Sequence, residues 1–185
     1  MSKTTTQLTE TTTSKTDDVF AMVDVENNQD KKMKFADFWN SKPFGEMYLY
    51  ENSTATTIVG ATTPALITDG GTVTTVGELN NFTHDGATGK LTYTGEEDIV
   101  VLVSFSLTMN SVSGTIGSKA ILNLNGAGVT KTKVEGVLVI STWLTMAKSC
   151  LLTLSKNDYI QMKVTNESSN ANVVVQDFNL NITGL

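Results

Sequence analysis

Arginine is absent from this 185-residue sequence, and cysteine, histidine and proline are scarce. All 13 basic residues are lysines, the net charge is −6, and the pI is near 4.7. Nucleic-acid and phosphate binders depend on basic charge and often on the bidentate fork of arginine, so this composition argues against both classes. The single cysteine, Cys150, excludes an intrachain disulfide and leaves no second thiol for a cysteine-based zinc site.

Long apolar runs and catalytic motifs are also missing. No run approaches the roughly 18 apolar residues of a membrane span, and residues 1–16 lack the apolar stretch of a secretory signal. We therefore expect no membrane insertion, and a product that stays in the cell that made it or leaves by lysis. The sequence contains no nucleophile elbow, no glycine-rich phosphate loop and no pair of histidines. It thus predicts no enzyme activity, no cofactor and no metal site.

Threonine occupies 30 positions, and β-branched residues favour strands over helices. The longest alternating run, Asp98 to Met109, places Ile99 and every second residue after it on one core-facing side. Further alternating runs cover Lys119–Asn125, Val137–Met146, Ser149–Leu154, Tyr159–Thr165 and Val173–Thr183. Short strands separated by glycine-containing turns predict an all-β, antiparallel jelly-roll sandwich of about eight to ten strands.

Composition divides the chain into three parts. Residues 1–16 form a Thr-rich arm that we expect to be flexible until a partner orders it, because it has too little apolar surface to offset its ordering entropy. Residues 17–45 form an anchoring unit and linker, and residues 46–185 form the head domain. Within the anchoring unit, the pattern predicts a strand over Asp18–Val25, a turn over Asn27–Asp30, a second strand or helical turn over Met33–Trp39, and a linker over 41–45.

Aromatic residues are concentrated in the anchoring unit. Phe35, Phe38, Trp39 and Phe44 fall within ten positions, and Phe20 lies in the strand before them. A segment this short cannot bury these side chains by itself, so they indicate contact with another subunit or another protein. We assign all five to an anchoring site.

Four other features each have a structural and a functional interpretation. His84, beside Asp85, is interpreted as a turn residue and not as a catalytic base. The acidic run Glu96–Asp98, with Asp69 and Asp85 on other loops, is interpreted as solvated charge in preference to a calcium site. Trp143 is expected to be buried in the core or a subunit contact, with a sugar-stacking platform as the alternative. Cys150 is expected to be a buried, inert thiol.

The order of motifs resembles that of a known class of trimeric heads. Four segments appear in succession: Phe82 to Gly95, the long apolar strand, Leu122-Asn-Leu-Asn-Gly126, and Leu152 to Ile160. This order is similar to that of TNF-like heads and of the globular heads of collagen-like complement proteins. The variant Lys90 to Gly95 resembles fibre heads of tailed bacteriophages more than cytokines. Asp18 to Trp39, with Val-Asp-Val and Lys-x-x-x-Phe-x-Asp-Phe, resembles the anchoring unit at the amino end of phage head-fibre proteins.

This resemblance implies a homotrimer. It agrees with Val100 and Leu102, which make the outer side of the long strand apolar where a monomer would favour polar residues. We therefore assign Val100 and Leu102 to a trimer interface.

The resemblance also implies a function. We expect a structural virion protein on the capsid surface, assembled in the host cytoplasm, that binds capsid or another virion protein through residues 1–45 and projects its head outward. Adhesion by the head stays open as a further role. The alternative is a tail-fibre module that binds a host surface glycan.

Overall fold

A computed structural model describes residues 19–24, 29–34 and 42–185 of the chain. Within these ranges the regular elements are β-strands and one short 3-10 helix, Thr130–Thr132. No helix among the described residues is long and apolar enough to cross a membrane. Lys42–Leu185 form one compact unit, and the hairpin of the first two strands belongs to another.

The hairpin pairs β1 (Val19–Asp24) with β2 (Gln29–Lys34) in antiparallel register, from Val19 opposite Lys34 to Asp24 opposite Gln29. The predicted first strand is confirmed. The last two residues of the predicted turn, Gln29 and Asp30, lie in β2, and the second element was predicted to begin too late. Phe20 lies in β1, whereas Phe35, Phe38 and Trp39 fall outside the described residues, so their assignment to an anchoring site stays a prediction.

Two antiparallel sheets build the larger unit. The six-stranded sheet has the order β13-β9-β15-β3-β6, with β4 beside β15. Its strands are β3 (Phe44–Leu49), β4 (Ala55–Thr56), β6 (Thr75–Asn80), β9 (Ile99–Ser111), β13 (Leu144–Leu154) and β15 (Val173–Gly184).

The seven-stranded sheet has the order β11-β10-β14-β8-β7, with β12 beside β10 and β5 beside β14. Its strands are β5 (Ala65–Leu66), β7 (Phe82–Asp85), β8 (Lys90–Tyr93), β10 (Thr115–Leu124), β11 (Ala127–Gly128), β12 (Val134–Val139) and β14 (Tyr159–Asn166). Both sheets therefore combine strands that are distant in sequence, so most of the pairing is long-range.

The core lies between the sheets and follows the alternation of the sequence. On β9 every second residue from Val101 to Met109 is buried, as the pattern predicts. Phe178 of β15 and Met47 of β3 are among the largest fully buried side chains. Burying each such side chain contributes about 1.5–3 kcal/mol to the stability of the fold. The alternation therefore accounts both for the strands and for the side chains that pack between the sheets.

One predicted strand is wrong. The run Val137–Met146 is divided between β12 and β13, which belong to different sheets. The break falls at residues 140–143, where Ser141 adopts a left-handed backbone with φ 61°. Because the chain crosses from one sheet to the other here, Trp143 lies in the connection and its side chain is 45% exposed. The expectation that Trp143 lies in the core is therefore wrong, and its burial in a subunit contact stays a prediction.

The larger unit begins earlier than the predicted head domain. β3 starts at Phe44, inside the linker predicted over residues 41–45. The main-chain N–H of Gly184 donates a hydrogen bond of 2.7 Å to the carbonyl of Pro43, so Pro43 also contacts the last strand. Phe44 is thus the first residue of a central strand and lies outside the hairpin unit.

Candidate functional site

The outer face of the six-stranded sheet carries a row of exposed apolar side chains at one end. Leu151 of β13 is opposite Leu102 of β9, Leu102 is opposite Thr183 of β15, and Thr183 is opposite Phe44 of β3. Leu102 is 39% and Leu151 is 49% exposed. These residues therefore form one continuous cross-strand row that faces away from the core.

Two further apolar side chains adjoin this row. Val100 lies two residues before Leu102 on β9 and is also exposed, and the main-chain N–H of Leu185 donates to its carbonyl at 3.1 Å. Leu185 is exposed as well. We name this surface the proximal patch, defined by Phe44, Val100, Leu102, Leu151 and Leu185, and the sheet edge where β3 begins and β15 ends the proximal end.

Beyond the proximal patch the same face becomes polar. The hydroxyls of Ser104 and Ser149 form a hydrogen bond of 2.8 Å across β9 and β13. Asn179 of β15 donates to the Glu46 carboxylate at 2.9 Å and accepts a hydrogen bond from Asn181. On β9 and β13 the large exposed apolar side chains of this face are consequently confined to the proximal end. A single sheet face thus combines a hydrogen-bonded polar part with an apolar part.

The structure brings together only some of the predicted site residues. Val100 and Leu102, assigned to a trimer interface, share the proximal patch with Phe44, which the sequence assigned to the anchoring site. The sequence assigned neither Leu151 nor Leu185 to an interface. The signal for Leu151 was present, because the alternation that turns Cys150 and Leu152 inward turns the apolar residue between them outward.

A second exposed apolar cluster lies at the opposite end of the unit. Ile140 is bridged to Ser111 at the end of β9, and its N–H donates to the Gly114 carbonyl at 3.1 Å. The neighbouring side chains are exposed as well. We name this cluster the distal patch, defined by Val112, Val139, Ile140 and Trp143.

His84 lies within strand β7 and not in a turn, which corrects the sequence interpretation. Its Nε2 is 2.9 Å from the hydroxyl of Thr74, a buried residue, and partial burial lowers the pKa of the imidazole. The neighbouring carboxylate of Asp85 accepts hydrogen bonds from Ala87 and Thr88. His84 therefore connects two segments of the fold, and Asp85 stabilises the turn that follows.

Cys150 faces the interior on β13 and is half-buried. Burial raises the pKa of its thiol, and the nearby Lys131 and Lys148 oppose this increase. Since the thiolate is the reactive form, a raised pKa makes the thiol less reactive at neutral pH. This environment agrees with the predicted structural role.

Two of the acidic residues considered for calcium, Glu96 and Asp69, have other partners. Glu96 forms an ion pair of 2.6 Å with Lys156. The carboxylate of Asp69 accepts the N–H of Leu66 at 3.0 Å and stabilises its own turn. Within the described ranges, no three His, Cys, Asp or Glu side chains are grouped as metal ligands would be.

Comparison with known proteins relates the fold to solved structures. No protein-family model and no curated protein sequence matches the chain. Murine APRIL at pH 5.0 matches with a TM-score of 0.50 and 10% identity, over 78% of this chain and 100% of that chain. The globular domain of zebrafish complement 1qA matches with a TM-score of 0.48 and 15% identity, over 78% and 97%. Eiger TNF from S. frugiperda matches with a TM-score of 0.46 and 12% identity, over 77% and 93%.

The similarity to murine APRIL confirms the predicted jelly-roll fold. It agrees with the two antiparallel sheets and with the part of the resemblance that concerns TNF-like heads. At 10% identity the likeness concerns the fold alone.

Proposed function

We propose that this chain is a subunit of a trimeric fibre on the capsid of a tailed bacteriophage, in which the jelly-roll head projects outward. The jelly-roll fold supports the part of the proposal that concerns a β-rich head domain. The finer assignment depends on the sequence resemblance of residues 18–39 to phage anchoring units and on the proximal patch.

The proximal patch is the observation that carries the homotrimer. It places Leu102, Leu151 and Phe44 together on one exposed face, although apolar side chains on a monomer are usually scattered singly. Packing around a closed symmetry axis gives each copy the same buried environment for this surface. Val100 and Leu102, the interface residues expected from the sequence, lie within the patch.

Attachment is assigned to residues 1–45, with the aromatic side chains of Phe20, Phe35, Phe38 and Trp39 as apolar contacts to capsid protein. Phe44 is now assigned to the head, because it is part of β3. In a trimer three weak anchors act together at high effective concentration, so firm attachment does not require high affinity at each one.

We assign no catalytic function, because His84 and Cys150 have structural environments and no other candidate base or nucleophile emerged from the sequence. We place the protein on the capsid surface of the virion after assembly in the host cytoplasm.

Two measurements test the capsid-fibre proposal. Light scattering on the purified full chain should give a mass of about three times 19.9 kDa. Electron microscopy of virions labelled with antibody to residues 42–185 should show label on the capsid. A monomer at all concentrations would contradict the trimer, and label confined to the tail would contradict the capsid location.

The distal patch supports a second candidate, a tail-fibre module that binds a host glycan. Trp143 is half-exposed at the end of the sheet opposite Phe44, and aromatic faces are common platforms for ligands with apolar and polar sides. Isolated heads applied to an array of host surface glycans distinguish the candidates. Binding that disappears in Trp143→Ala supports the glycan module, whereas no binding together with capsid label supports the fibre.

A further inference from the structure

Asn125 and Gly126 form the two-residue connection between β10 and β11. Both have a left-handed backbone, with φ of 52° and 83°. Glycine adopts this conformation without penalty and asparagine tolerates it better than most residues, which explains this pair at a hairpin turn.

The side chain of Asn125 is held by the turn that precedes β14. Its Nδ2 donates to a carboxylate oxygen of Asp158 at 2.6 Å, and its Oδ1 accepts the main-chain N–H of Tyr159 at 3.0 Å. The main-chain N–H of Asn125 also donates to the Tyr159 carbonyl at 3.0 Å. We name these three hydrogen bonds the Asn125 clamp.

Asn-Gly is the dipeptide most open to spontaneous deamidation, because glycine has no Cβ to hinder its own nitrogen. In this reaction the Gly126 nitrogen attacks Cγ of Asn125 and loses its proton, and the side-chain nitrogen leaves as ammonia. Water then opens the resulting succinimide to aspartate or isoaspartate. The reaction consumes only water, and Asn125-Gly126 is the one Asn-Gly pair in the sequence.

We propose that Asn125 is a latent deamidation site that the clamp keeps in the amide form. Both polar atoms of the carboxamide are bonded to residues 158 and 159, so the carboxamide is not free to turn its carbon toward the Gly126 nitrogen. Reaction requires the clamp to open first, and its rate in the folded protein then follows the population of the opened turn.

Conversion to aspartate removes the contact that formed the clamp. The Nδ2 donor is replaced by a carboxylate oxygen, which faces the Asp158 carboxylate at hydrogen-bond distance. Like charges this close repel, and Asp158 also accepts the Ser155 N–H at 2.8 Å within its own turn. The modification is irreversible because ammonia has left, and the repulsion loosens the contact between the two turns.

Lysines near the clamp have other contacts. Lys90 lies over the Tyr159 ring, 4.6 Å from its centroid, and Lys156 is paired with Glu96. Neither lysine takes part in the hydrogen bonds of the clamp. The repulsion between two carboxylates at positions 125 and 158 is consequently not offset by either of these lysines.

Peptide mapping by mass spectrometry of the full chain at pH 8.5 tests the protection. We expect Asn125 to deamidate at least about tenfold more slowly in the folded chain than in urea. Asp158→Ala should recover most of this difference, whereas Lys156→Ala, which changes the same turn outside the clamp, should leave the rate unchanged. Equal rates in folded and unfolded wild type, or in Asp158→Ala and wild type, would overturn the proposal.

A mimic of the product provides a test that does not depend on the folding of Asp158→Ala. Asn125→Asp should melt several degrees below wild type at pH 8. Asn157→Asp adds the same charge to the turn that carries Asp158, at a side chain that is not part of the clamp, and should show a smaller shift. Equal melting of the two variants at pH 8 would refute the consequence assigned to deamidation.

Discussion

Leu102 on β9 and Leu151 on β13 are directly opposite each other across two antiparallel strands, and both side chains point away from the core. Such a pair forms one continuous apolar surface, and neighbouring apolar residues extend it along the proximal end.

Leu102→Asp should dissociate or unfold the trimer, because a carboxylate buried at an interface without a partner costs several kcal/mol. Light scattering measures the mass, and circular dichroism distinguishes dissociation from unfolding. Val59→Asp is the matched control, because Val59 is an exposed apolar residue outside the proximal patch. A trimeric and folded Leu102→Asp variant would exclude the proximal patch as the interface.

A chain that begins at Lys42 should fold and trimerise without the anchoring unit. A chain that begins at Glu46 should be less stable by about 1–3 kcal/mol, because it lacks the Pro43 carbonyl bonded to Gly184 and the first two residues of β3. Urea denaturation followed by circular dichroism compares the two chains. Equal stability of the two would show that Pro43 and Phe44 contribute little to the head.

His84 should contribute to the pH dependence of stability but to no turnover. Burial lowers its pKa in the folded protein below the ordinary 6.5, so the folded state favours the neutral ring. This contribution is fully present above pH 6.5 and is lost as the pH falls through the folded-state pKa. Urea denaturation between pH 7.5 and 5 should show a shallower decline for His84→Gln than for wild type, and identical slopes would contradict this assignment.

Replacing Phe38 and Trp39 together by Ala should leave a soluble trimer but remove it from virions. Apolar contacts supply most of the binding energy at an anchor, whereas a Thr-rich arm can bind through main-chain hydrogen bonds that Thr-to-Ser changes preserve. Quantitative immunoblots of purified particles compare the double variant with Thr-to-Ser changes among residues 4–13. Full occupancy by the double variant would place the anchor elsewhere in the chain.

Alternation along the sequence was sufficient to predict the long strands and their core faces. β9, β14 and β15 lie where the pattern predicts them, because a strand with one buried face has a period of two. The same rule failed over Val137–Met146, since β12 and β13 continue the alternation on both sides of a crossing between sheets. Periodicity reports which side of a strand is apolar, and it does not report which sheet the strand joins.

The sequence by itself determined an all-β chain with an apolar outer side on β9, because β-branched composition and period-two alternation depend only on local chain geometry. The tertiary structure alone decided that Leu151 and Phe44 lie in one row with Leu102, that Thr74 bonds His84, and that Asp158 holds Asn125. These pairs are separated by 10 to 58 positions, from Thr74–His84 to Phe44–Leu102. Contacts of this kind arise from strand order and register, which are set by the packing of the whole core and not by any local segment.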